Sequence, residues 1–258
     1  MMYRQTFVMR RAVAWFTALL GALFFAAVGI QTLSHNQSRV SMTLDDSIFF
    51  VCWAAGVFAV VYGAGLGNGS REAARVLWTI PKPRWKNALS VVFIDAMGLL
   101  CALVAGVLAT YVVIALFSGP VRVEYMLTRG FSWMGLLIAA LFLFALYGWS
   151  AVVGMLGRRM PYAGLLAYPL ILLWSTFSNL PGKFGDLLRS ILVANPLADY
   201  SYAYGSLVAH AKPSMLNPSM TALSHVQASN FPAILLAIGA VGCGIAIVLW
   251  TRSEILNA

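Results

Sequence analysis

The sequence has little charge and very few acidic groups. Charged residues make up 10% of its 258 residues, with 8 acidic residues against 17 lysines and arginines, whereas hydrophobic residues make up 61%. Charged residues are typically about 25% of a soluble globular domain. Together with a mean hydropathy of +0.83, this scarcity excludes a soluble globular protein and predicts a polytopic membrane protein.

Sequence patterns of catalysis are also missing. Gly182-Lys183 is followed by Phe184 and has no glycine five residues before it, so the chain has no P-loop for ATP hydrolysis. H-E-x-x-H and G-x-S-x-G do not occur, and the three histidines have no cysteines or carboxylates at metal-binding spacing. We therefore predict that the chain is not an enzyme and holds no cofactor or metal of its own.

The net charge of +9 comes from basic residues at the ends of apolar segments. This placement favours contact with anionic membrane lipids and an acidic partner surface, and it argues against nucleic acid as a partner. Cys52, Cys101 and Cys243 fall inside apolar segments, where they are expected to act as small apolar residues and not to form a disulfide.

Long apolar runs are what the sequence has in place of charge. They predict an all-α fold, a single transmembrane domain over 1–258. The six predicted spans are 12–33, 47–66, 88–118, 131–155, 162–177 and 231–250. Glycines end the second span, and Gly63 and Gly67 favour close helix packing there. Pro169 permits a kink or a break in the fifth span.

The distribution of basic residues predicts the orientation. Eleven lysines and arginines fall on one side of the six spans and six on the other, and most of those six lie in long loops. Because lysine and arginine concentrate on the cytoplasmic side, both termini are expected in the cytoplasm. The expected location is the cytoplasmic (inner) membrane.

A basic segment, 67–87, separates the second and third spans. It contains Arg71, Arg75, Lys82, Arg84 and Lys86. Ser70 can cap a helix whose first turn contains Glu72, and Pro81 can end it. The segment therefore predicts a short amphipathic helix over 70–80 on the cytoplasmic surface, although a basic loop of this kind can also serve only as a topology signal.

This segment resembles the loop between the second and third spans of ABC-2 type transporter permeases. The matching residues are Glu72, Leu77, Pro81, Arg84 and Lys86, whereas Ala74 stands where the family usually has glycine. In that family the loop is a coupling helix that docks on a cytoplasmic ATPase subunit. The resemblance implies that this chain is the permease subunit of an ATP-driven exporter.

The same resemblance implies the partners. They are two copies of an ABC ATPase, which would bind ATP and Mg, and a second permease chain, the same or homologous. The implied ATPase-coupling residues are Arg71, Glu72, Arg75, Leu77, Trp78, Pro81 and Arg84, together with Arg158 and Arg159 in the second inner loop.

Candidate pathway residues lie in the first three spans. Aromatic side chains suit an apolar or amphipathic substrate, although ordinary packing or lipid contact also explains them. These aromatic residues are Phe24, Phe25, Phe49, Phe50 and Trp53. Asp95 lies well inside the third span, where it either pairs with a basic residue such as Arg158 or Arg159 or handles substrate or protons.

The outer region between the fifth and sixth spans, about 184–210, has helical character interrupted at Asn195-Pro196. It resembles the short re-entrant or interfacial helices at this place in ABC-2 permeases. Tyr200, Tyr202 and Tyr204 are expected to anchor it at the headgroup level. The alternative function is a gradient-driven carrier or channel without an ATPase, for which several buried ionisable residues or an inverted repeat would be expected.

Overall fold

The computed structural model describes residues 44–68, 84–117, 132–156, 163–208 and 222–253. Over these ranges the all-α prediction is confirmed, since every regular element there is helical. The α-helices are α1 (Leu44–Asn68), α2 (Arg84–Phe117), α3 (Trp133–Leu156), α4 (Ala167–Phe177), α5 (Lys183–Ser190), α6 (Pro196–Leu207) and α7 (Phe231–Ser253). Short 3-10 turns, Ala163–Leu166, Leu192–Ala194 and Ala228–Asn230, precede α4, α6 and α7.

Three helical segments in the described ranges are long and apolar enough to cross a bilayer: Ala88–Ala109, Trp133–Leu156 and Ala228–Leu249. They coincide with the third, fourth and sixth predicted spans. Val51–Ala64 and Ala163–Phe177 are apolar but shorter, and they coincide with the second and fifth. The molecule is therefore a membrane protein by the length and composition of its helices. The first predicted span, 12–33, and the predicted helix over 70–80 lie outside the described residues.

Helix α3 lies at the centre of the bundle. It packs along α1 on one side and α7 on the other, and it also touches α2, α4 and α6. Glycines let these helices approach backbone to backbone: a Cβ on Gly148 would lie 2.8 Å from the Gly239 oxygen, and one on Gly63 would lie 2.5 Å from the Tyr147 oxygen. Close packing at Gly63 is therefore confirmed, and it provides the van der Waals contact on which helices in lipid depend.

One side of α2 carries a stripe of large apolar residues that nothing in the described part of the protein covers. Its members recur every three or four residues and are 37–66% exposed: Leu89, Phe93, Met97, Leu100, Val104 and Leu108. The opposite side of α2 is buried against the bundle. An exposed apolar stripe of this size is rare on a monomeric soluble protein, whereas it is the normal surface of a helix in contact with bilayer hydrocarbon.

The first turn of α2 has the residues of a membrane–water boundary. Trp85 and Lys86 are both exposed, and the Lys86 Nζ lies 5.5 Å from the centroid of the Trp85 ring. Ser90 donates a hydrogen bond of 2.8 Å to the Lys86 carbonyl. Tryptophan and lysine are enriched where a transmembrane helix meets the headgroups. The first turn of α2 therefore has residues that suit the membrane–water interface.

Asn195-Pro196 begins α6, as the interruption in the sequence predicts. The Asn195 Oδ1 accepts hydrogen bonds from the amides of Leu197 (3.0 Å) and Ala198 (3.3 Å), and Pro196 takes the first helical position, where no amide is needed. The Asn195 Nδ2 donates to the Ile171 carbonyl at 3.1 Å. One buried side chain thus starts α6 and attaches it to α4.

The tyrosines of α6 are not headgroup anchors, so that prediction is wrong. Tyr200, Tyr202 and Tyr204 are all buried in the helical core. Tyr200 stacks on Phe142 of α3 with ring centroids 4.4 Å apart, and Tyr202 packs on Phe231 of α7 at 5.0 Å. Because α6 packs against the bundle with its aromatic residues inward, it is part of the core.

Candidate functional site

The predicted coupling residues lie outside what the structure describes, except that Arg84 is the first residue of α2. The others are Arg71, Glu72, Arg75, Leu77, Trp78, Pro81, Arg158 and Arg159. Their role stays a prediction. The chain leaves α1 at Asn68 and enters α2 at Arg84, so the basic segment joins these two helices directly.

Of the predicted aromatic pathway residues, only the side chain of Trp53 is described. It is half-buried and meets Tyr168 edge to face, with ring centroids 6.4 Å apart. Trp53 therefore packs α1 against the start of α4. Phe49 and Phe50 lie in α1, but their side chains are outside the described part of the protein, as are Phe24 and Phe25.

Asp95 is almost fully buried between helices, with 1% of its surface exposed. The Tyr147 hydroxyl of α3 donates a hydrogen bond of 2.8 Å to its Oδ2. Ala88 clusters with Ala151 and Met155, so α2 and α3 run antiparallel. Asp95 lies roughly 16 Å along α2 from Arg84, and Tyr147 lies roughly 14 Å along α3 from Leu156, so both reach the same depth.

The energies explain why Asp95 needs this contact. A carboxylate near the centre of a transmembrane helix costs about 2.5–3.5 kcal/mol on insertion scales. A hydrogen bond to a charged group contributes about 1.5–3 kcal/mol. The hydrogen bond from Tyr147 therefore offsets much of the cost of burying Asp95. Asp95 thus has a structural partner, Tyr147, that the sequence does not reveal. The proposed pairing with Arg158 or Arg159 lies outside the described residues.

Ser150 adds a second buried polar contact one turn of α3 beyond Tyr147. Its Oγ lies 2.6 Å from the Val60 carbonyl of α1 and 2.9 Å from the Gly164 carbonyl in the 3-10 turn before α4. The hydroxyl has one proton, so it donates to these two acceptors in alternation or shares the proton between them. We call Asp95, Tyr147 and Ser150 the polar layer. It joins α1, α2, α3 and the start of α4 across the bundle.

Asp199 is a buried carboxylate that sequence reasoning missed. It is fully buried in α6, and in the described part of the protein neither carboxylate oxygen has a hydrogen-bond partner. Desolvation by burial raises the pKa of Asp199 from 3.8 to about 8. The positive end of the α6 dipole favours the ionised form by only about 0.3–1 kcal/mol, so burial outweighs it and favours the neutral form of the carboxyl at pH 7.

A signal for Asp199 does exist in the sequence. It is the only Asp, Glu, Lys or Arg between Arg189 and Lys212. An acidic residue three positions after Asn-Pro lies in the first turn of a helix, where the helix dipole favours a negative charge, so its presence there has an ordinary explanation. What the pattern does not give is the direction in which the side chain points, and here that direction is inward.

Helix α5 is held firmly and carries an exposed apolar face. Arg189 forms an ion pair with Asp186 and donates from Nη1 to the Ser178 carbonyl at 2.8 Å. Trp174 of α4 donates from Nε1 to the Leu188 carbonyl at 3.2 Å. On the outside of this anchored turn, the side chains of Phe184, Leu187 and Ile191 are 49–60% exposed. A fixed short helix with this surface is typical of an interfacial helix in a membrane.

The described residues contain no group of three or more His, Cys, Asp or Glu side chains that could hold a metal ion. Their chemistry consists of buried carboxylates and hydroxyls within a helical bundle. Comparison with known proteins adds no identity: no family model matches the chain, and no curated protein or solved structure is significantly similar to it.

Proposed function

We propose that the chain is the membrane-spanning permease subunit of an ATP-driven ABC-2 type exporter. In this proposal six helices cross the cytoplasmic membrane, both termini are cytoplasmic, and a separate pair of ATPase subunits supplies the energy. Two permease chains, the same or homologous, enclose a pathway for an apolar or amphipathic substrate.

The observation that carries the proposal is the basic, proline-ended segment between α1 and α2. It holds five of the 17 basic residues, and it joins an apolar helix to α2, the longest described helix. Trp85 and Lys86 give the start of α2 an interfacial character. In the proposal, the predicted surface helix over 70–80 and the prolines after it, Pro81 and Pro83, would pass a displacement from an ATPase into α2, because proline fixes the backbone.

The order of elements near the carboxyl end gives further support. Between α4 and α7 the chain forms the short helices α5 and α6, where ABC-2 permeases have short outer helices. Helix α5 and the residue that follows it expose Phe184, Leu187 and Ile191, which suits burial in the outer leaflet. Helix α6 is instead packed against α3 and α7, so movement of those two helices would displace α6.

Co-purification tests the proposal. We expect the full chain, isolated gently from its native membrane, to bring an ATPase subunit with it. The charge reversals Glu72→Lys and Arg75→Glu should each remove that subunit, since they invert the docking surface. Arg122→Glu is the matched control and should leave the complex intact, because Arg122 lies between the third and fourth predicted spans, on the side of the membrane opposite the basic segment. A stable, transport-active complex without any nucleotide-binding subunit would refute the proposal.

A second candidate function is a gradient-driven carrier. The structure provides a specific observation in its favour, because it has two buried aspartates, Asp95 and Asp199, and carriers use buried ionisable groups for coupling. The basic segment and the absence of further buried charges among the described residues favour the exporter. Substrate transport driven by an imposed proton gradient in vesicles free of nucleotide would favour the carrier.

A further inference from the structure

We propose that Asp199 is a proton-binding site: the carboxyl is neutral while α6 is packed in the core, and it releases one proton when α6 separates from α3, α4 and α7. This inference goes beyond the proposed function and does not depend on it, because it concerns the equilibrium of α6 within this chain. It would hold for an ATP-driven exporter and for a carrier.

Among the described residues, nothing around Asp199 stabilises a charged carboxylate. The residue lies in the first turn of α6, between the buried residues Ala198 and Tyr200, and α6 packs against α3, α4 and α7. Neither oxygen of the carboxyl has a hydrogen-bond partner in the described ranges. An ionised carboxylate is an acceptor at both oxygens and is very unfavourable in such a site, whereas a neutral carboxyl is tolerated far better.

The described titratable groups around α6 do not supply a compensating charge. On the helices that pack against it and on α6 itself they are Tyr147 of α3, Tyr168 of α4, Cys243 and Arg252 of α7, and Tyr200, Tyr202 and Tyr204 of α6. The 3-10 turns Leu192–Ala194 and Ala228–Asn230 have none, and His225, in the turn before the latter, is exposed. Arg252 lies roughly 30 Å along α7 from Phe231, where α7 meets Tyr202.

The proton-binding equilibrium falls in an accessible range. Burial raises the pKa of Asp199 to about 8 in the packed state, and an exposed aspartate has a pKa of about 3.9. Between these two values the packed state holds one more proton than the separated state. Raising the pH through this range therefore favours separation of α6, and above a pH of about 8 the effect levels off because both states are then ionised.

Separation of α6 would be transmitted to its neighbours through contacts already described. The Asn195 Nδ2 holds the Ile171 carbonyl of α4 at 3.1 Å, and the Tyr200 ring stacks on Phe142 of α3. Both contacts must break when α6 leaves. The proton on Asp199 thus favours the state in which α4 and α3 are joined through α6.

Hydrogen exchange on the full chain in lipid nanodiscs, with any subunit that co-purifies, tests the proposal. Wild type is compared with Asp199→Asn at each pH, so that the intrinsic pH dependence of amide exchange cancels. We expect the opening constant of the α6 amides, relative to the variant, to rise about tenfold per pH unit between about pH 5 and about pH 8. Asp186→Asn removes an exposed carboxylate on α5 and should keep the wild-type dependence.

A ratio between wild type and Asp199→Asn that is constant across this range would overturn the proposal. Infrared spectroscopy of the wild type provides a second test if the variant does not fold. We expect a neutral-carboxyl band at pH 7 that persists in Asp95→Asn and disappears as the pH passes about 8. Absence of a neutral carboxyl at pH 7 would also overturn it. Loss of ATPase co-purification bears on the proposed function and leaves both readouts unchanged.

Discussion

The two buried aspartates lie in contrasting environments. Asp95, inside the span of α2, receives a hydrogen bond from Tyr147 on the neighbouring helix. Asp199, in the short helix α6, has no such donor among the described residues. A carboxyl that is paired across helices contributes to the assembly of the bundle, whereas an unpaired one makes its helix sensitive to protonation. Burial alone therefore does not define the role of an acidic residue in this protein.

The largest effect is expected from Asp199→Lys. The substitution places a cationic side chain where no counter-charge is described, and an uncompensated buried charge costs about 3–5 kcal/mol unless the amine loses its proton. We expect loss of folded protein, measured as the monodisperse fraction after detergent extraction. Asp186→Lys is the matched control, because Asp186 is exposed on α5. Normal yield of Asp199→Lys would show that a charged side chain can be accommodated at this site.

Tyr147→Phe should have an intermediate effect. It removes the hydroxyl that donates to Asp95 but keeps the ring, and leaving a buried acceptor without its donor costs about 1–3 kcal/mol. We expect a lower midpoint of thermal unfolding in detergent. In the Asp95→Asn background the same change should cost less, because the carboxylate that needs the donor is already gone. Equal costs in the two backgrounds would mean that the Tyr147 hydroxyl stabilises a carboxylate at this position no more than it stabilises an amide.

The smallest effect is expected from Asp95→Asn alone. The asparagine Oδ1 can still accept from Tyr147, and the charge is lost from a site where charge is costly. We expect normal expression and full transport activity if Asp95 serves only to join α2 and α3. Loss of transport at normal expression would instead assign Asp95 to substrate or proton handling. Asp95 and Asp199 would then no longer differ as a structural and a proton-binding residue.

Helix positions were predictable because their signals are local. The predicted segment 131–155 coincides with α3, Trp133–Leu156, since an apolar run of that length is recognisable without knowledge of its neighbours. The start of α6 was predictable for the same reason, because Asn195-Pro196 supplies both a cap and a first-turn proline.

The polar contacts were not predictable, because they depend on which helix faces meet. Asp95 and Tyr147 are 52 positions apart in sequence, and no periodicity indicates that they share a depth. The α6 tyrosines were misassigned because a tyrosine near a predicted outer loop suits both the headgroup region and a core contact. Only the tertiary packing distinguishes the two, and the same is true of the inward direction of Asp199.

The contact between Gly148 of α3 and Gly239 and Gly242 of α7 constrains how the protein can change shape. Main-chain atoms of the two helices are in direct apposition at these glycines, beside the Phe144 ring that packs on Gly239, so few side chains at this point could move from one rotamer to another. We therefore expect α3 and α7 to travel as a single rigid unit during any conformational cycle. Rearrangement would then occur at interfaces filled by side chains, such as those of α6, where a ring can rotate out of one recess and into the next.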